Sequence, residues 1–298
     1  MSDAGGGPTQ ASTAGPGRVR IVEVGPRDGL QNESALVPVD AKVAFVEALA
    51  DAGLPVVEVT SFVSPSAVPQ LADADEVYPR VRRREDVRYP VLVPNMRGME
   101  RAERAGAEAV AVFTAASEAF NERNIGMSIA ESLTAFEPVL DRARALGWWR
   151  RGYVSTAFGC PYSGAVEPSK VLQVCEALIE LGCEEISVGD TIGVAEPHDV
   201  RRVCEVLLEW IPVQRLALHL HDTRGRALEN VEAGLEHGVS IYDSSAGGTG
   251  GCPFAPGAPG NLATEALCDR LDRLGIEHGV DAAAVRAAAV GLRGHLSG

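Results

Sequence analysis

A pair of histidines at the end of a predicted strand is the part of this chain best suited to chemistry. His219 and His221 follow the run Arg215–Leu218, whose apolar residues are typical of a buried β-strand. Side chains two residues apart on a strand share a face, so both imidazoles can reach one metal ion. The spacing alone also fits a surface pair or a hydrogen-bonded pair in the core.

Other predicted strands also end in polar residues. A structural interpretation exists for several of them: Glu58 could pair with Arg27, Asp190 could cap a turn, and Asn261 could cap a helix. Taken together, these residues favour one shared polar site at the strand ends, because unpaired charge is costly inside a packed core. The candidate residues that join the two histidines are Arg27, Asp28, Glu58, Asp190, Cys252 and Asn261.

Two imidazoles, a carboxylate and an amide oxygen would make a mixed nitrogen and oxygen shell. Such a shell suits Mg²⁺ or Mn²⁺, although Zn²⁺ or Co²⁺ could occupy it. The cation would act as a Lewis acid on substrate oxygens. The nearby segment 244–261 is rich in Gly and Pro and carries Cys252, which predicts a mobile loop that brings a thiol over the site. An inert loop is the alternative, and Cys160 competes for the catalytic role.

The elements that must position these residues alternate along the chain. Short apolar or β-branched runs are separated by segments of helical period, which is typical of repeated βα units. We count eight units and predict a closed (β/α)8 TIM barrel, with an open doubly wound sheet as the alternative. Catalytic groups of barrels lie at the C-terminal ends of the strands. The strands are predicted at 20–24, 56–60, 89–93, 109–113, 152–156, 185–188, 216–219 and 240–242.

Composition limits the class of protein. The 298 residues are 46% hydrophobic and 23% charged, enough for one barrel domain at 18–298 after a disordered tail at 1–17. The net charge of −14 argues against a nucleic-acid partner, and the absence of a long apolar stretch argues against a membrane span. Six cysteines without a Cys-x-x-Cys pair indicate a reduced cytoplasmic protein.

Several separate motifs carry a family resemblance, which extends from about Arg20 to Leu274. The chain resembles the hydroxymethylglutaryl-CoA lyases, metal-dependent barrel lyases related to isopropylmalate and homocitrate synthases. The matching stretches occur in the family's order. They are VEVGPRDGLQNE (22–33), TSFVSP (60–65), AASE (115–118), GCPY (159–162), GDTIG (189–193), HLHDT (219–223), GCP (251–253) and GNLATE (260–265).

The resemblance implies a retro-Claisen lyase that cleaves the acyl-CoA substrate 3-hydroxy-3-methylglutaryl-CoA to acetoacetate and acetyl-CoA. It also implies a homodimer, and it assigns the Mg²⁺ or Mn²⁺ ligands to Asp28, His219, His221 and Asn261. Arg27 would face the enolate oxygen and Cys252 would protonate the enolate carbon, with Asp28 or His219 close to the hydroxyl proton. Glu58 and Asp190 would hold these groups in place.

The sequence also departs from the family pattern. Phe254 stands where members often carry Tyr, and Thr249 where Leu is common, so the packing of the loop could differ. Three alternatives stay open: a lyase for a longer 3-hydroxy-3-alkylglutaryl-CoA such as the isohexenyl homologue, a condensing synthase of the related branch, and a silent metal-binding protein. Retention of Cys252 and the short chain argue against the synthase.

Overall fold

Short runs of Val, Ala, Ile and Leu form the strands of the protein, as β-branched and apolar residues favour a buried sheet. The computed structural model describes residues 15–250 and 260–296. Within these ranges the strands are β1 Arg20–Glu23, β2 Val56–Val57, β3 Thr60–Ser61, β4 Val91–Leu92, β5 Ala109–Ala115, β6 Trp149–Ser155, β7 Glu185–Asp190, β8 Leu216–Leu220 and β9 Ile241–Ser244.

All of the strand pairs are parallel, and their order is β2-β1-β9-β8-β7-β6-β5-β4-β3. The two ends of this order, β2 and β3, lie in the single segment 56–61. The Glu58 N–H donates to Glu23 O at 2.8 Å, on the β1 side, and the Val59 N–H donates to Pro90 O at 3.0 Å, next to β4. The sheet is therefore curled, as in a TIM-barrel-type fold.

Helices follow most of the strands. Ser128 and Glu131 form a capping box at the start of the longest one, and Gly53 and Gly147 adopt positive φ of 91° and 73° just past two helix ends. The helices are α1 Val39–Asp51, α2 Ala74–Arg80, α3 Met96–Arg104, α4 Glu118–Ile125, α5 Ile129–Ala145, α6 Pro168–Glu180, α7 Pro197–Leu208, α8 Ala227–Glu236, α9 Thr264–Leu274 and α10 Ala282–Leu296.

The two faces of the sheet differ in polarity. Ile186 and Val188 of β7 belong to the main apolar core, which the helices cover. Ser187 points to the other face, because side chains alternate along a strand, and there its hydroxyl contacts the Asp243 carboxylate. Arg151 on the neighbouring β6 shares that inner face and is fully buried. The inner face of the sheet therefore carries buried charges beside small apolar clusters, such as that of Val22 and Val56, and the main apolar core lies between the sheet and the helices.

The strand predictions hold at most positions, with two differences around β4. The segment predicted as one strand at 56–60 appears as β2 and β3, and the strand predicted at 89–93 is only Val91–Leu92. Pro90 explains both differences, because a proline has no N–H to donate to a sheet ladder. The ladder beside it is interrupted and resumes at Val91.

The predicted tail at 1–17 is described only in its last three residues. There the Gly17 carbonyl accepts a hydrogen bond from the Glu277 N–H at 3.2 Å, so the end of this segment already contacts the folded part of the chain. In the parts of the chain that the structure describes, no helix combines the length and apolar character needed to cross a bilayer.

Candidate metal centre

The ends of β1 and β8 bring the predicted ligands together. His219 lies in β8, and His221 follows the strand directly and pairs with Asn261 through an isolated antiparallel bridge. Asp28 lies in a short π-helical turn, Gly25–Gly29, that begins just after β1. The turn begins where the strand stops and places the Asp28 carboxylate beside the histidines.

Asp28, His219 and His221 form a compact three-residue cluster whose potential ligand atoms all lie within 4.8 Å of one another. The two Nε2 atoms of the histidines are 3.1 Å apart, and Asp28 Oδ2 is 3.9 Å from His219 Nε2. Six-coordinate Mg²⁺ holds ligands at about 2.1 Å, which separates neighbouring ligand atoms by about 3 Å. The spacing of the imidazoles fits one shared divalent cation.

The protonation states of this cluster also suit a cation. Burial alone would raise the pKa of Asp28, but the charges of Arg27 and the two histidines outweigh it and lower the pKa to about 2. Burial lowers the pKa of His221 to about 3, and the neighbouring His219 acts in the same direction. The site therefore offers an ionised carboxylate and a neutral imidazole, the forms that bind metals.

Asn261 lies beside the cluster, with its amide turned toward Asp28. Its Nδ2 donates to Asp28 Oδ2 at 3.0 Å and to Thr249 O at 3.1 Å. A ligand must present the amide oxygen, so binding a cation through Asn261 requires the amide to reverse. The structure places Asn261 beside Asp28, and its role as a ligand stays a prediction.

A buried ion-pair network supports Asp28. Arg27 donates from Nε to Glu58 Oε2 at 2.7 Å and from Nη1 to Asp28 Oδ1 at 2.6 Å. The same Glu58 oxygen accepts from the Tyr153 hydroxyl at 3.0 Å, and Glu58 is completely buried. Three of the residues predicted from the sequence thus form one network, and the role predicted for Glu58, holding Arg27 in place, stays a prediction.

Asp190 behaves differently from the other candidates. Its carboxylate accepts hydrogen bonds from the backbone N–H groups of Val194 and Ala195, both at 3.0 Å. The register aligns Asp190 with Leu220, so it faces away from His219, which aligns with Gly189. Within the described ranges no hydrogen bond joins Asp190 to Arg27 or to the histidines. Burial raises its pKa to about 6, against these two hydrogen bonds.

Of the two candidate cysteines, only Cys160 lies in the part of the chain that the structure describes. Cys252 lies outside the described residues, so its placement over the site stays a prediction. Cys160, the competing thiol, is buried and lies 3.0 Å from the Ser117 hydroxyl. Ser117 also caps α4 through the Phe120 N–H. These contacts give Cys160 a structural environment at the start of that helix.

Sequence reasoning missed the buried side chains behind the histidines. Asp243 Oδ2 lies 3.2 Å from His219 Nδ1, and Arg151 and Ser187 contact the same carboxylate. A charged residue within an apolar strand was the available signal. The strands predicted at 152–156 and 240–242 left out Arg151 and Asp243, because apolar composition set those boundaries.

Comparisons with known proteins identify the family of this chain. The HMGL-like family model matches residues 18–290. Over 266 residues the chain is 52% identical to "Hydroxymethylglutaryl-CoA lyase, mitochondrial" of Rattus norvegicus, covering 89% of this chain and 82% of that protein. It is also 52% identical to "3-hydroxy-3-methylglutaryl-CoA lyase, cytoplasmic" of Danio rerio, covering 89% of this chain and 79% of that one.

The fold of the chain also matches that of a solved structure. The crystal structure of hydroxymethylglutaryl-CoA lyase from Pseudomonas aeruginosa superposes with a TM-score of 0.93 at 48% identity, covering 95% of each chain. Sequence and structure thus agree over almost the whole described region, and the stretches that carry Asp28, His219 and His221 lie inside it. The chain belongs to the HMGL-like family.

Proposed function

We propose that this chain is a divalent-metal-dependent lyase that cleaves 3-hydroxy-3-methylglutaryl-CoA to acetoacetate and acetyl-CoA. The observation that carries the proposal is the Asp28, His219 and His221 cluster at the strand ends, in a chain 52% identical to proteins named for this reaction. The active site would lie at the C-terminal ends of the strands of one closed (β/α)8 domain at 18–298. The charged inner face of the sheet supports that placement.

The proposed ligands of the cation are Asp28, His219, His221 and Asn261. When bound, Mg²⁺ or Mn²⁺ would supply Lewis-acid polarisation of the substrate oxygens. The 3.1 Å separation of the imidazole Nε2 atoms supports this assignment. His221 Nδ1 is buried and has no hydrogen-bond partner in the described structure, so Nδ1 can carry the ring hydrogen while Nε2 faces the proposed cation.

The proposed reaction breaks one carbon–carbon bond and includes two proton transfers, from the hydroxyl group to a base and from the Cys252 thiol to the enolate carbon, after which the base returns its proton to the thiolate. Asp28 accepts the proton of the tertiary hydroxyl group, because a cation on Nε2 and a hydrogen on Nδ1 would leave His219 no free electron pair, and the electron pair of the broken bond passes to the acetyl thioester as an enolate. Arg27 would stabilise the enolate oxygen with the N–H groups that Glu58 and Asp28 do not engage. Cys252 then protonates the enolate carbon.

In this proposal Glu58 keeps the Arg27 guanidinium in place, and Asp190 holds the loop after β7 through Val194 and Ala195. The proposed compartment is the cytoplasm, which is supported by five free cysteines among the described residues. A homodimer stays a prediction that rests on the family resemblance.

A steady-state assay tests the function. Purified protein with Mg²⁺ or Mn²⁺ should release acetoacetate and acetyl-CoA from 3-hydroxy-3-methylglutaryl-CoA, and EDTA should stop the reaction. The Cys252→Ala variant should lose most of the turnover, whereas Cys160→Ala, the matched thiol control, should retain it. Turnover of the isohexenyl homologue alone would keep the mechanism and change the substrate. No turnover of either thioester would refute the proposal.

A further inference from the structure

A buried carboxylate on β9 contacts the candidate ligand His219 from behind. Asp243 is 2% exposed, and its Oδ2 atom lies 3.2 Å from His219 Nδ1. The Nε2 atom of the same ring faces His221 at 3.1 Å. The two nitrogens of His219 therefore meet different partners: one meets Asp243 and the other meets the proposed cation site.

Two further contacts fix the Asp243 carboxylate. Arg151 donates from Nη2 to Oδ1 at 2.5 Å, and the Ser187 hydroxyl donates to Oδ2 at 2.7 Å. Arg151 and Asp243 are both fully enclosed, with side-chain exposures of 0% each, so the negative charge is balanced inside the barrel. The carboxylate is thus a fixed acceptor that cannot turn away toward water.

An ionised carboxylate can only accept hydrogen bonds, so the atom that faces it must donate. In a neutral imidazole only one nitrogen carries a hydrogen. A hydrogen on Nδ1 leaves Nε2 with a free electron pair, and Nε2 is the atom directed at His221 and Asp28. A carboxylate behind a metal-bound histidine commonly has this effect on ring orientation and ligand basicity.

We propose that Asp243 is a positioning residue for His219, and that Arg151 and Ser187 hold it in the orientation that presents His219 Nε2 to a divalent cation. The inference rests on the proposed metal-dependent function, and it assigns a role to residues that do not touch the cation themselves. Without Asp243, His219 would be free to protonate Nε2, and a protonated nitrogen cannot bind a metal.

Arg151 also reaches the other side of the cluster. Its Nη1 donates to the Tyr153 hydroxyl at 2.8 Å, and Tyr153 in turn donates to Glu58. Glu58 holds Arg27, which contacts Asp28. Two of the three clustered side chains, His219 and Asp28, are therefore supported by hydrogen-bond chains that begin at one buried arginine.

Mn²⁺ binding to the full-length chain tests the inference without reference to turnover. Titration of free Mn²⁺ by electron paramagnetic resonance should give a dissociation constant about 10- to 100-fold higher for Asp243→Asn than for the wild type. The matched control is Glu185→Gln, which removes the other carboxylate paired with Arg151, at 2.9 Å, and leaves His219 untouched. Its Mn²⁺ affinity should stay close to that of the wild type, because the contacts of Asp243 with Arg151, Ser187 and His219 all remain.

A second measurement covers the case in which Asp243→Asn fails to fold. Nitrogen chemical shifts of His219 in the metal-free wild type, recorded at a pH high enough for the ring to be neutral, should show the hydrogen on Nδ1, and a neutral ring with its hydrogen on Nε2 would overturn the inference. Unchanged Mn²⁺ affinity in folded Asp243→Asn would overturn it as well, as would a wild type that binds no Mn²⁺. A wild type that binds Mn²⁺ tightly but cleaves no thioester would refute the proposed function and leave the positioning of His219 supported.

Discussion

The buried pair of Arg27 and Glu58 makes a quantitative prediction possible. Glu58→Gln keeps the shape of the side chain but removes its charge, so Arg27 retains only Asp28 as a counter-charge. Unit charges about 4 Å apart attract by about 4 kcal/mol at an effective dielectric constant of about 20. Removing one partner of a buried pair typically costs about 3–5 kcal/mol. Because Asp28 remains, we expect a loss near the lower end, about 3 kcal/mol.

Urea unfolding followed by circular dichroism measures this loss as a change in the free energy of unfolding. The matched control is Glu103→Gln, which removes the same charge from a surface pair with Arg142, whose nitrogen and oxygen lie 2.5 Å apart. An exposed pair contributes less than about 1 kcal/mol, so this variant should stay close to the wild type. Equal losses in the two variants would refute the argument that burial sets the strength of the Arg27–Glu58 pair.

Three further predictions concern proton binding, packing and metal binding. Burial raises the pKa of Glu23 from 4.5 to about 7. The protonated form is thus favoured in the folded state, and about 3 kcal/mol of stability present below about pH 4.5 is lost as the pH rises through 7. Urea unfolding at several pH values measures this loss. As the pH rises from about 4.5 through 7, the unfolding free energy of Glu23→Gln should increase relative to that of the wild type by about 3 kcal/mol. A Cβ at Gly234 would lie 2.6 Å from the Tyr242 hydroxyl oxygen, so Gly234→Ala should lower the unfolding free energy by about 1–3 kcal/mol. Mn²⁺ at about 100 times its dissociation constant should stabilise the wild type by about 2.7 kcal/mol, measured by thermal unfolding, and His221→Ala should lose this gain.

Each of these predictions has a result that would contradict it. For Glu23 it is a difference between variant and wild type that does not change with pH. For Gly234 the matched control is Gly291→Ala in α10, where a Cβ meets nothing within 4 Å and helix propensity should add up to about 1 kcal/mol. Equal effects at the two glycines would contradict the packing argument. For His221, an unchanged Mn²⁺ response would exclude it as a ligand.

The sequence predicts much of the fold because strand and helix signals here are local. Apolar runs locate the strands, and glycines such as Gly53 and Gly147 lie just past the ends of helices. Pro90 is also visible in the sequence, but its effect on the neighbouring ladder depends on which segments lie side by side. The pairing of His219 with His221 could be predicted because it needs only the two-residue period of a strand.

The support behind the histidines could not be predicted in the same way. Arg151 and Asp243 are separated by 92 positions in the chain, and their contact exists only because β6 and β9 face each other across the barrel. For Asp190 the sequence indicates a position but does not reveal the direction of the side chain. Its position at a strand end indicates a catalytic group, but the sheet register turns it toward the loop at Val194 and Ala195.

The buried ion pairs on the inner face of the sheet also disfavour misaligned strands. A slip of one residue in any strand exchanges its two faces. For β6 such a slip would separate Arg151 from its partners Asp243 and Glu185. The guanidinium would then lie on the outer face of the sheet, among the apolar side chains that contact the helices. That state would carry an uncompensated buried charge, whereas a purely apolar interior would tolerate it far better. We expect these ion pairs to penalise misaligned sheets during folding, whatever they add to the stability of the native one.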